Sequence, residues 1–159
     1  MTSKNYFKGI QIVHFALIIG IVFFGIISIF LQSQGFGTID QESNNILMIT
    51  AMVFSVIGII LSKLLFKRKL LNCSNKPTLI EKLDSYRSAL TLKFASIEAP
   101  SFLVIVIYLI TGNMIVIAIA GLLLIIFLTY RPTKEKLITD LELSSEEKDL
   151  INNPDTILN

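Results

Sequence analysis

The chain has 159 residues, 53% of them hydrophobic and only 16% charged, with a mean hydropathy of +0.71. Those values lie above the range of soluble globular domains, and the apolar residues are gathered into long runs, which excludes an ordinary water-soluble fold. The net charge of +2 decides little without the positions of the charges, and the single cysteine, Cys73, excludes both an internal disulfide and a C-x-x-C metal motif.

In chain order, residues 1–9 carry Lys4 and Lys8 but no acid. Residues 10–31 are a mostly apolar run of about 22 residues, enough to cross about 30 Å of hydrocarbon at about 1.5 Å per residue. The run is too long for a signal-peptide h-region and no A-x-A-like site follows, so a retained first span is predicted. Ala16 and Gly20 give it a small-xxx-small spacing. Residues 32–45 form a polar loop without Lys or Arg, and 46–65 the second span. There Ala51, Ser55, Gly58 and Ser62 recur at helical spacing, a stripe of small residues expected to face a neighbouring helix. Lys63 stands near the far end, where its stem can snorkel to the headgroups.

The only long connection follows. It opens on Lys67-Arg68-Lys69, which with Arg87 makes a basic patch suited to the membrane surface. Thr78 and Glu81 fit a capping box behind Pro77. The apolar stripe Leu79, Leu83, Tyr86, Leu90 and Phe94 then predicts an amphipathic helix over 78–93, lying on the inner membrane surface and able to run on into the next span. The third span covers 94–111. Gly112 and Asn113 mark a tight turn, and the fourth span covers 114–130. Arg131-Pro132 stops that helix, which separates a transmembrane domain, 1–131, from a polar, acidic tail, 132–159. In the tail, Thr133 can cap one short helix and Ser144 with Glu147 forms a capping box for a second.

All 14 Lys and Arg fall in the N-terminus, the middle connection with its flanking span ends, or the tail. The positive-inside rule therefore places those segments in the cytoplasm, and an even number of spans agrees. The fold expected is an all-α polytopic membrane protein with four transmembrane helices in the inner membrane.

Function is sought where the apolar pattern is broken. Glu98 and Pro100 both interrupt the third span at a cost. Counting from Thr111, Glu98 lies about 20 Å below the outer boundary and about 10 Å inside the inner one. His14 enters the first span at similar depth, and Lys63 reaches the same leaflet. The three are expected to form a polar cluster, with Lys93 or Arg87 in reach, beside a kink at Pro100. Replacing His14 or Lys63 would then reproduce the effect of replacing Glu98. The bland alternatives are a carboxylate in a shallow wet pocket, a histidine that bonds across two helices, an ordinary proline kink and a solvated tail.

Glu98-Ala99-Pro100 resembles the ion-carrying helix of rotary ATPase proteolipid subunits, which implies a proton- or sodium-binding carboxylate. The chain departs from them in lacking repeated glycines, a midplane carboxylate and an internal repeat. Over its second half the chain resembles small four-span inner-membrane proteins of bacteria, through Tyr86-Arg87, Glu98 with Pro100, Thr111-Gly112-Asn113, Arg131-Pro132-Thr133 and Asp140-Leu141-Glu142-Leu143. That resemblance implies an architecture and no activity.

The reading is a non-enzymatic accessory or interaction subunit, with a small oligomeric transporter or proton- or ion-conducting protein using Glu98 as the alternative. No catalytic residue, metal ligand or cofactor is expected. The expected partners are membrane lipid and either further copies of the chain or a larger membrane complex, not nucleic acid.

Overall fold

The apolar runs form helices longer than the hydrocarbon requires. The computed structural model describes residues 2–37, 39–73, 75–154 and 156. In it α1 is Ser3–Ser33, α2 Gln41–Cys73, α3 Leu79–Thr111 and α4 Met114–Thr129, followed by α5, Lys134–Asp140, and α6, Ser145–Asn152. The first three have 31, 33 and 33 residues. At about 1.5 Å per residue each exceeds a 30 Å core by about 15–20 Å.

The protein is all-helical and membrane-embedded. By length and composition α1, α2 and α3 can each cross a membrane. The fourth, of 16 residues, passes the same test only together with α5, from which it is bent by 78°. Pro132 and the cap at Thr133 sit in that bend, where the side chain of Thr133 accepts from the Lys136 amide.

Local signals explain the extra length. Thr2 caps α1 by accepting from the Asn5 amide, so the helix starts at Ser3 and not at the first apolar residue. Thr78 caps α3 in the same way through the Glu81 amide. From there α3 runs unbroken through Pro100 to Thr111. The segment predicted to lie on the membrane surface is therefore the first half of α3. Its stripe of Leu79, Leu83, Tyr86, Leu90 and Phe94 is buried against protein rather than lipid. The Tyr6 hydroxyl donates to the Leu83 carbonyl at 2.6 Å, and the Phe66 ring meets that of Tyr86 at 6.0 Å. A helix continuous across residues 93–94 keeps the backbone bonded at that junction, losing only the Pro100 donor further on, and lets α1, α2 and the tail cover the stripe.

These contacts bring the N-terminal ends of α1 and α3 to one end of the bundle with the C-terminal ends of α2 and α4, here called the tail end. At the opposite, hairpin end Gly112 takes a left-handed φ of 63° that ends α3, and Asn113 caps α4 through Oδ1 while donating from Nδ2 to Asn44 Oδ1 at 2.9 Å. The centre of the bundle is α3, which packs on α1, α2 and α4. Of its most apolar window 39% is buried, against 22% for α1 and for α2, so the chain leaves most of the apolar surface of α1 and α2 uncovered.

The tail folds back onto its own chain. Leu137, Leu141, Leu143 and Ile151 are all buried. Ser3 Oγ donates to the Ile151 carbonyl at 2.7 Å, the Tyr86 hydroxyl to Asp140 Oδ2 at 2.8 Å, and Lys82 pairs with Glu147 at 2.7 Å. Residues 132–154 thus cap the tail end as a packed lid, where a solvated appendage was the simplest expectation. The capping box of Ser144 and Glu147 is complete in both directions.

Candidate functional site

His14 is 1% exposed, enclosed by the rings of Phe94 at 4.9 Å and Phe127 at 5.1 Å. Its Nε2 lies 3.0 Å from the Phe127 carbonyl of α4. A carbonyl only accepts, so Nε2 carries the proton, and the buried Nδ1 is left without a partner. The ring joins α1 to α4 and takes no part in a group with Glu98 or Lys63.

Lys63 is exposed on α2, and among the described residues it makes no hydrogen bond or ion pair. Its neighbour Ser62 faces inward, 3.1 Å from the Tyr130 hydroxyl. The cation that does enter the bundle at this level is Lys93. Its Nζ stands over the rings of Phe66, at 4.2 Å, and Tyr130, at 4.4 Å. Sequence reasoning named Lys93 only as an optional member of the cluster. The available signal was an aromatic residue bordering the tail-end limit of the second and of the fourth apolar run, Phe66 and Tyr130, level with Lys93.

Glu98 is half-buried, and among the described residues its carboxylate has neither a hydrogen-bond nor an ion-pair partner. Its level is fixed by its neighbours on α3. Phe94, one turn towards the tail end, touches His14, and Phe102, one turn the other way, packs on Phe24 of α1 at 5.6 Å. One turn is about 5.4 Å along the axis. Depth arithmetic thus placed Glu98 near His14 in height, but the single chain does not join them, and no ion pair links Glu98 to Lys63, Lys93 or Arg87.

Pro100 is buried against Gly58. A Cβ on Gly58 would lie 2.5 Å from Pro100 Cγ and 2.8 Å from the Ser96 carbonyl oxygen. The carbonyl released by the proline is therefore covered by α2, and is not offered to a cation beside Glu98. Of the small-residue stripe on α2, Ala51, Ser55, Gly58 and Ser62 are all buried. It is used inside this bundle.

In the basic patch, Lys67, Arg68 and Arg87 are exposed, whereas Lys69 Nζ donates to Ser88 Oγ at 2.8 Å. Among the described residues no three or more His, Cys, Asp or Glu side chains gather in a way that could hold a metal ion. No family model, no curated protein and no solved structure matches the chain.

Proposed function

We propose that this chain is a non-enzymatic membrane subunit that assembles with further copies of itself or with a larger membrane complex, and that Glu98 lies in the contact. Four spans in the inner membrane, with both ends cytoplasmic, are the topology that the distribution of Lys and Arg favours. The observation that carries the reading is the unpaired Glu98 carboxylate on α3. Ionisable groups within spans are costly and pair with one another, with backbone or with water. Here the histidine at neighbouring depth is already bonded and the nearby lysines point elsewhere, so the missing donor belongs to another chain. The test is purification of tagged protein in mild detergent, with measurement of the mass and composition of the particle. A defined oligomer or complex that survives Glu98→Gln and dissociates in Glu98→Leu is the expected result, because Gln keeps the hydrogen-bonding oxygen. A monomer without partners, unchanged in either variant, sinks the proposal.

A second reading, a small oligomeric transporter or ion conductor, draws on the same carboxylate as a proton carrier. It predicts flux in proteoliposomes that Glu98→Gln abolishes. The covering of the Ser96 carbonyl by Gly58 weighs against it, since the proline then supplies no ligand beside Glu98.

A further inference from the structure

We propose that the outer seam between α2 and α3 at the tail end is a phospholipid site, and that it is built for a headgroup bearing a primary amine. A cleft of about 490 Å³ opens there, with Lys69, Asp84, Arg87 and Ser88 above Leu92 and Ala95. Among the described residues neither cation is paired with a carboxylate, and Asp84 is paired with no cation. Lys69 is held by Ser88 Oγ and keeps further donors free, and Arg87 offers its whole fork.

Height selects the ligand. Lys93, between the rings of Phe66 and Tyr130, stands at the start of the apolar part of α3. Arg87 lies about 9 Å further out along the helix, and long basic stems reach back to the phosphate level. Leu92 and Ala95 floor the cleft at the boundary itself. One residue further into the span, Ser96 and Ala99 begin a second groove of about 330 Å³, walled by Ile57, Leu61 and Leu103. Cations above a polar-to-apolar step that continues as an apolar groove match a phosphate joined to an acyl chain. Asp84 is one turn beyond Ser88, on the water side, where the far end of the headgroup would sit. A carboxylate there repels a purely anionic lipid and accepts hydrogen bonds from an ammonium. A quaternary ammonium has no N–H to donate, so phosphatidylethanolamine is preferred over phosphatidylcholine. The site depends on the membrane placement given above and not on the identity of any partner protein.

The experiment is native mass spectrometry of the full chain in detergent, titrated separately with phosphatidylethanolamine, phosphatidylcholine and phosphatidylglycerol of identical acyl chains. Phosphatidylethanolamine is expected to bind about fivefold more tightly than phosphatidylcholine, and phosphatidylglycerol no more tightly than phosphatidylethanolamine. Asp84→Asn removes the preference for the amine while retaining phospholipid. Lys69→Gln with Arg87→Gln weakens all three by about fivefold or more. Lys76→Gln, which changes an exposed basic residue in the turn between α2 and α3 that lies outside the cleft, leaves binding unchanged. These side chains lie outside the core, and circular dichroism of each variant verifies its fold. Equal binding of the three lipids, a preference for phosphatidylglycerol, or a Lys76→Gln effect equal to that of the double variant overturns the proposal.

Discussion

Gly58 and Pro100 fit together as a single contact: the proline ring of α3 occupies the space a side chain on Gly58 would need, 2.5 Å from where its Cβ would stand. Replacement of Gly58 by Ala therefore forces α2 and α3 apart or displaces the ring. Overpacking of this kind costs about 1–3 kcal/mol. Pro100→Ala removes the nearest clashing atoms and restores a backbone donor to the Ser96 carbonyl, so the double variant should recover part of the loss. The check is a double-mutant cycle on unfolding in detergent, with a coupling of about 1 kcal/mol expected. Strict additivity would mean that the two residues do not share the contact.

The lid is held partly by charge. Burial alone would push the Glu147 carboxyl up, but the hydrogen bond from Lys82, the bond from the Ser144 amide and the nearby Lys82 charge outweigh it and hold it below the usual carboxylate range. The folded-state value is then lower than the unfolded one. The stabilisation is complete above the unfolded value of about 4.3 and is lost as pH falls through the folded value. Hydrogen exchange of residues 134–152, followed from neutral pH downward, should show the lid loosening below about pH 4. Glu147→Gln should flatten that dependence and, for a pair whose side chains are 17% and 20% exposed, lower stability at neutral pH by about 0.5–1 kcal/mol. An unchanged pH profile in Glu147→Gln would count against the pair.

What the sequence discloses divides along physical lines. The spans are legible because hydrocarbon demands long apolar runs, and Thr133, Asn113 and Ser144 are legible because helix ends leave amides that short polar side chains satisfy. The start of α1 at Ser3 is not, since Lys4 and Lys8 hide a helix whose buried face, Tyr6, Phe7 and Ile10, acquires meaning only once the tail covers it. The docked tail is concealed for the same reason. Leu137, Leu141 and Ile151 are too few in each short helix to announce a core without the larger buried cluster they join. At the candidate site, helical arithmetic gives height but not direction. It brings His14, Lys63 and Glu98 to one leaflet, while rotation about each axis turns His14 inward to Phe127 and Lys63 out to the surface.

That difference in direction is measurable between the two lysines of the tail end. Lys93 stands over two rings and is shielded by them, which is worth about 0.5–2 kcal/mol. Lys63 is exposed and touches no ring among the described residues. Lys93→Gln should lower the melting temperature in detergent clearly, and Lys63→Gln by much less. Equal effects would show that Lys63 also holds the bundle.

The link between His14 and Phe127 decides whether the ionisable groups act as one unit. His14→Leu fills the same apolar cage but loses the interhelical hydrogen bond, at a cost of about 1–2 kcal/mol. The Phe127 carbonyl keeps its bond from the Tyr130 amide, so no acceptor is left entirely bare. Because His14 shares no partner with Glu98, His14→Leu and Glu98→Gln should add within about 0.5 kcal/mol in unfolding measurements. An interaction term above about 1 kcal/mol would mean that the two side chains meet, as a polar cluster requires. It would also supply Glu98 with its partner inside the chain, removing the argument that a second chain provides one.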